Sequence, residues 1–130
     1  MFSIFKKLFR RKSKVYSFFK HNLAQFSNEI YNNETKVFYV DSFIYNINDL
    51  QKIRMLIKDN VPLWNIVKDL KKDLLVDIIK LYIIQTNGKH YIAFVLDPIE
   101  LLKNEKILEI MPINEESINI DQLEKIDLNI

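Results

Sequence analysis

Few residues of this chain combine the type and the spacing that catalysis requires. Asp41 and Asp97 each follow a run of β-branched and aromatic residues, and two carboxylates brought together could share a proton as a general acid–base pair. Asp at such positions more commonly ends a strand or caps a turn. His21 and His90 lie in different segments, without metal-ligand spacing to any carboxylate motif. We therefore expect neither a catalytic pair nor a metal site.

The residues that nucleophilic and phosphate chemistry need are also missing from the sequence. There is no Cys, and the single glycine, Gly88, cannot form a glycine-rich phosphate loop. No Ser lies in the glycine-flanked elbow of hydrolases. The composition predicts a protein that is not an enzyme and that carries no cofactor.

The most unusual stretch of the chain is its beginning, MFSIFKKLFRRK, in which apolar residues recur at helical spacing between Lys and Arg. Residues 1–28 hold seven basic side chains and no acidic one, a net charge of +7, whereas the remaining residues hold 12 basic and 17 acidic ones. A basic amphipathic helix is typical of segments that lie in the interface of an anionic membrane. The predicted membrane-binding residues are Phe2, Ile4, Phe5, Lys6, Lys7, Leu8, Phe9, Arg10, Arg11 and Lys12.

Three other interpretations of this arm stay open at the level of sequence. Mitochondrial presequences are also basic, amphipathic and free of acids, although the opening here is unusually aromatic and shows no small-residue cleavage site. A nucleic-acid-binding arm would place the same charges on phosphates, but it would leave the aromatic residues facing water beside an acidic body. The arm could also pack on its own domain.

Hydrophobic periodicity predicts the elements that follow the arm. A second apolar stripe continues the helical period to about residue 31; it consists of Val15, Phe18, Phe19, Leu23, Phe26 and Ile30. Lys36–Ile44 predicts a strand, and residues 48–60 predict a helix with Asn48 as its N-cap. VPLWNIV fits either a helix begun at Pro62 or a short buried strand.

The second half of the body contains the clearest local signal. Leu70, Leu74, Leu75, Ile78 and Ile79 have the spacing of a second helix over about 69–81. Asn87-Gly88, between two apolar runs, predicts the tight turn of a β-hairpin. KILEIMPI predicts a final strand, and the acidic residues 114–130 are either a docked element or a loose tail.

Together these elements predict an α/β fold: a two-layer sandwich of two helices on a small mixed β-sheet, in the order β-α-β-α-β-β, preceded by an N-terminal amphipathic helix. The predicted organisation has four parts. They are a basic membrane-targeting helix (1–14), a helical or flexible linker (15–35), an α/β core domain (36–113) and an acidic C-terminal tail (114–130).

This order of elements resembles SepF, the family of membrane tethers of the FtsZ division ring. KVFYVDSF is similar to the first strand of the family, NINDLQKIRMLIKDN to its first helix, and PLWNIVKDL to its second strand, which favours strand over helix for 62–67. KKDLLVDIIKLY resembles the start of the long second helix, and YIAFVLDP a later strand. The chain departs from the family between helix and hairpin, where it is shorter and lacks a Gly-Gly pair.

The resemblance implies a cell-division adaptor on the cytoplasmic side, peripheral at the inner face of the membrane. It implies a homodimer whose body binds the C-terminal peptide of FtsZ near the second helix and the hairpin, with nucleic acid not expected as a partner. Transferred to this chain, the peptide or dimer site is formed by Leu74, Ile78, Tyr91 and Phe94.

Overall fold

Runs of Ile, Val, Phe and Tyr form the strands of this protein. The computed structural model describes residues 35–73, 75–99 and 105–126, which form an α+β fold with a five-stranded antiparallel sheet of order β4-β3-β2-β1-β5 and two helices. The strands are β1 (Lys36–Ile44), β2 (Ile78–Thr86), β3 (Lys89–Asp97), β4 (Lys106–Pro112) and β5 (Glu124–Ile126). Helices α1 (Ile47–Lys58) and α2 (Leu63–Val67) both follow β1, and two short 3₁₀ helices, Glu115–Ser117 and Ile120–Gln122, precede β5.

Helix α1 is bounded by side-chain and backbone caps at its two ends. Asn46, rather than Asn48, is the N-cap, and its side-chain oxygen accepts a hydrogen bond from the backbone N–H of Asn48 at 2.9 Å. At the other end Asn60 adopts a positive φ of 59°. The N–H groups of Asn60 and Val61 then bond to the carbonyls of Ile57 and Leu56, which is the Schellman arrangement. The helix predicted over 48–60 is confirmed to within two residues at each end.

The hairpin between β2 and β3 forms as the sequence predicts. Asn87 and Gly88 have φ values of 52° and 74°, and two successive positive angles match the twist of the flanking strands in a type I′ turn. The pairing runs without interruption from Thr86 opposite Lys89 to Ile78 opposite Asp97. The strand predicted at 36–44 and the final strand at 106–112 are also present.

The helix predicted over 69–81 is not present. Residues 70–73 and 75–77 have no regular structure, and Ile78 begins strand β2. Eight of the nine residues of β2 are buried, because β2 is the central strand of the sheet and its side chains are buried on both faces. A strand buried on both faces is apolar at nearly every position, so its residues also satisfy helical spacing.

Two further expectations are corrected. Residues 63–67 form helix α2, which begins after Pro62, so the strand favoured by the resemblance is wrong and the alternative helical interpretation is right. The sheet of the described residues is antiparallel throughout and not mixed. Both helices of the described residues fall between β1 and β2, so the predicted order β-α-β-α-β-β is not confirmed. The N-terminal amphipathic helix and the linker before residue 35 lie outside the described residues.

The sheet has two apolar faces. On the helix face, residues such as Phe43, Leu81 and Phe94 pack with Leu50 and Ile53 of α1 in one core cluster. We call the other side the opposite face, and its most buried residues are Val37, Tyr82, Ile84, Ala93 and Val95, which belong to a separate cluster.

The described part of the acidic C-terminal segment is docked on the body. Ile118, Ile120 and Leu123 pack against the core of the helix face, and β5 then pairs with β1, with Ile126 opposite Val37. Of the two alternatives for residues 114–130, the docked element is therefore observed as far as residue 126.

Candidate interaction surface

The structure does not bring the predicted partner-binding residues together on one surface. Phe94 is fully buried in the core of the helix face, and Ile78 is buried at the start of β2, opposite Asp97. Tyr91 is partly buried on the opposite face, three residues from Phe94 and therefore on the other side of the sheet. Core packing accounts for the apolar character of Ile78 and Phe94 without a partner. Leu74, and residues 2–12, for which membrane binding is predicted, lie outside the described residues.

Exposed apolar side chains concentrate instead at one end of the sheet, the end away from the Asn87–Gly88 turn. We call this surface the apolar end. Leu75 is 79% exposed and Ile47 is 50% exposed, far more than the core residues. The apolar end consists of Tyr45, Ile47, Leu75, Val76 and Ile99.

Asp77 holds the segments of the apolar end in place. Its backbone carbonyl accepts a hydrogen bond from the N–H of Tyr45 at 2.9 Å, and its carboxylate accepts one from the N–H of Ile99 at 2.8 Å. The preceding turn is fixed in the same way, since Asp73 accepts a hydrogen bond from the N–H of Leu75 at 2.8 Å. Three separate parts of the chain that carry exposed apolar side chains are therefore joined at this end of the sheet.

An apolar surface of this kind is suited to contact with another protein or a lipid, because water leaves it on association. The sequence pattern did not predict it, since helical spacing assigned Leu75 to the buried stripe of a helix. The available signal was the two aspartates, Asp73 and Asp77, on either side of the three apolar residues 74–76, because Asp is a common residue of turns. Trp64 is 50% exposed on α2 and is therefore not a core residue.

A polar cluster lies where β1 bulges between Tyr39 and Asp41. Asp41 pairs with Lys72 at 2.8 Å, and this hydrogen bond with its charge attraction raises the pKa of Lys72. Burial raises the pKa of Tyr39, although a hydrogen bond to Ser42 opposes the change. A raised pKa keeps the Tyr39 hydroxyl protonated at neutral pH, which argues against a role as a general base.

The two carboxylates considered as a catalytic pair do not face each other. Asp41 is on β1 and Asp97 is on β3, with β2 between them, which separates them by about two strand spacings, roughly 10 Å, across the sheet. Asp41 is also level with Phe94 and not with Asp97, which lies three residues further along β3. Each has a lysine of its own: Lys80 Nζ lies 3.0 Å from Asp97 Oδ2, and both side chains are nearly buried. This ion pair lies on the opposite face, next to its apolar cluster.

The described residues contain no cluster of three or more His, Cys, Asp or Glu residues that could hold a metal ion. The side chains of His90 and Gln85 lie 3.3 Å apart across the hairpin, and His21 is outside the described ranges. In the same part of the chain neither helix has the length and apolar character needed to cross a membrane.

Comparison with known proteins adds no relative. No family model matches the chain, no curated protein matches it, and no solved structure matches it.

Proposed function

We propose that this protein is a non-enzymatic adaptor that attaches to an anionic membrane surface through residues 2–12 and contacts a protein partner through its folded body. The observation that carries the proposal is the charge division of the chain. A basic, apolar opening of net charge +7 precedes a remainder with more acidic than basic residues. An anionic partner would therefore attract the arm and not the body.

The composition of the arm favours a membrane over other anions. Each basic residue near an anionic lipid surface contributes on the order of 1 kcal/mol, and each large apolar side chain adds up to about 1.5–3 kcal/mol when fully inserted. Phe2, Phe5 and Phe9 would gain nothing from a phosphate backbone, whereas a bilayer interface accommodates both kinds of side chain.

The apolar end supports the second half of the proposal. Its side chains are exposed although the same chain buries most of its large apolar residues, and backbone hydrogen bonds to Asp77 hold them in position. A preorganised apolar surface loses little entropy on binding. We therefore assign partner contact to the apolar end in place of Ile78 and Phe94.

The cell-division assignment comes from the resemblance to SepF, with FtsZ as the filament and a homodimer as the assembly. The first strand and first helix of the resemblance agree with β1 and α1, and YIAFVLDP with β3. Residues 62–81 form different elements from those that the resemblance implies, so FtsZ is the part of the proposal to test separately.

Vesicle flotation tests the membrane half. The full chain should float with vesicles that contain phosphatidylserine and not with phosphatidylcholine alone. Phe5→Glu should abolish flotation, while Met55→Glu, the same kind of change at an exposed residue of α1, should leave it intact. Equal flotation of the Phe5 variant and the unmodified chain would overturn the anchor. Salt-sensitive duplex binding that survives Phe5→Glu would favour a nucleic-acid arm, and a shortened mature N terminus would favour a cleaved presequence.

Co-sedimentation with FtsZ filaments tests the partner half. Leu75→Glu should reduce co-sedimentation, whereas Met55→Glu should not, and both variants should still float with anionic vesicles. No co-sedimentation of the unmodified chain would remove FtsZ from the proposal and leave the membrane half untouched. Light scattering of the full chain measures whether it is the dimer that the resemblance implies.

A further inference from the structure

The opposite face of the sheet is buried, yet nothing in the described ranges lies over it. Its five defining residues are at most 2% exposed within a single chain. The buried apolar residues of α1 and α2, and Ile118, Ile120 and Leu123 of the docked C-terminal segment, belong to the cluster on the helix face. The cluster on the opposite face contains residues of the strands alone. Its cover must therefore come from the same chain, outside residues 35–73, 75–99 and 105–126.

The length of the remaining segments decides which one can act as the cover. Strands β2 and β3 have nine residues each, so the face extends about 30 Å along them. Residues 100–104 and 127–130 span roughly 18 Å and 14 Å even when fully extended. Neither can cover several strands. The 34 residues that precede Thr35 are long enough.

We propose that residues 15–31 pack as an amphipathic helix on the opposite face. The apolar stripe predicted there runs from Val15 to Ile30 and would extend about 25 Å as a helix, close to the length of the strands. The polar side of the same helix would carry Ser17 and Asn28 and face water.

The pattern of burial across the strands fits a single helix. The most buried positions, at most 2% exposed, lie on β1, β2 and β3, the three central strands. On the outer strands Ile107 of β4 and Ile126 of β5 are 8% and 9% exposed and Ile110 of β4 is only partly buried, so burial decreases from the centre of the face to its rim. One helix about 10 Å in diameter covers two strand spacings. The chain also enters β1 at Thr35, which is itself buried and whose hydroxyl lies 3.2 Å from that of Thr86. Residues that precede Thr35 therefore begin at the edge of the face that they would cover.

This assignment holds whether or not residues 2–12 bind a membrane. If both hold, the segment between the anchor and the sheet is part of the folded body and not a flexible tether. The distance between membrane and body would then be set by packing.

Thiol protection in the full chain tests the proposal, because the chain has no Cys of its own. Ala93→Cys places a small thiol at a fully buried position of the opposite face. Lys89→Cys provides an exposed thiol on the same strand. Ser117→Cys provides an isosteric buried thiol on the docked C-terminal segment. We expect the thiol at position 93 to react with iodoacetamide about tenfold or more slowly than the thiol at position 89.

Charge substitutions then identify the cover. Phe19→Asp and Phe26→Asp lie on the predicted stripe and should increase the labelling of the thiol at position 93 about tenfold or more. Ser17→Asp and Asn28→Asp lie on the other side of the helix and should leave it unchanged, with the thiol at position 117 protected throughout. Rapid labelling at position 93 in the otherwise unmodified chain, or unchanged protection in both Phe variants, would overturn the proposal.

A cross-link provides the second measurement if the Phe variants also expose the thiol at position 117, which would indicate general unfolding. In the otherwise unmodified chain, the thiol of the Ala93→Cys variant should form a disulfide within one chain to a Cys introduced in place of Phe19 or Phe26. It should not do so with a Cys introduced in place of Ser17 or Asn28. Disulfides that form only between two chains, or equally from both sides of the helix, would overturn the assignment.

Discussion

The ion pair between Lys80 and Asp97 offers a test of how well the opposite face is buried. The loss in free energy of unfolding when one partner is removed depends on that burial. Their charged atoms lie 3.0 Å apart, and the side chains are 11% and 9% exposed. Asp97→Asn keeps the size of the side chain but removes the charge. Lys80 is then left as an uncompensated cation on a surface whose neighbours are apolar.

The expected cost follows from that burial. Removing one partner of a buried pair typically destabilises a protein by about 3–5 kcal/mol, against a total stability of about 5–15 kcal/mol for a small domain. An exposed pair would cost about 1 kcal/mol or less. Replacing both residues with apolar ones, as in Lys80→Met with Asp97→Leu, is expected to be nearly neutral or stabilising.

Urea denaturation, followed by the fluorescence of the single Trp64 and by far-UV circular dichroism, measures the stability of the unmodified chain, the single variants and the double variant. We expect Asp97→Asn and Lys80→Met each to lower the midpoint strongly and the double variant to restore most of it. Single variants that cost less than about 1 kcal/mol, or a double variant as unstable as both combined, would refute the reasoning. The first of these results would also mean that the opposite face is open to water.

Three further predictions concern the turn, the helix cap and alkaline pH. Gly88→Ala should lower the free energy of unfolding by about 1 kcal/mol, because φ is +74° and no heavy atom lies within 4 Å of an added Cβ. In urea denaturation Asn87→Gly should leave the midpoint nearly unchanged. A much larger loss of stability in Gly88→Ala would indicate a contact beyond backbone strain. Asn46→Ala should also lower the free energy of unfolding by about 1 kcal/mol, because the N-cap hydrogen bond is lost, whereas Asn46→Asp should retain most of the stability. Equal losses of stability in the two variants, measured by thermal unfolding, would contradict a capping role. The raised pKa values of Tyr39 and Lys72 mean that the folded state holds these protons more tightly than the unfolded state does. The resulting contribution to stability is present below the ordinary pKa values and is lost as the pH rises through the pKa values of the folded state. Midpoints measured from pH 9 to about pH 11 should therefore fall, and Tyr39→Phe should reduce the fall; an identical pH profile for that variant would exclude Tyr39 as a cause.

Local signals in the sequence predicted the elements whose ends are fixed by local chemistry. The two positive φ angles of Asn87-Gly88 and the Asn residues around α1 act within a few residues, so their consequences could be derived without knowing the fold. The strand β2 could not be separated from a helix, because burial on both faces removes the alternation that distinguishes the two. The antiparallel sheet likewise depends on pairings between distant segments, above all that of β5 with β1.

The candidate site was harder to predict than the fold. Phe94 and Ile78 have the residue types of a binding surface, but exposure depends on which elements pack over them. Leu75 and Val76 belong to the apolar end because residues 70–73 and 75–77 are irregular, which follows from where β2 begins. The resemblance placed the predicted surface near a second helix and the hairpin, and because the predicted helix is replaced by irregular residues and β2, Ile78 lies in the buried sheet together with Phe94.

The pairing of β5 with β1 also determines how the body is joined to the rest of the chain. Val37 lies opposite Ile126, so the backbone enters and leaves the sheet on adjacent strands, about 5 Å apart. A fluorophore attached near residue 126 would therefore lie beside the start of β1 and report on whether these two strands stay paired.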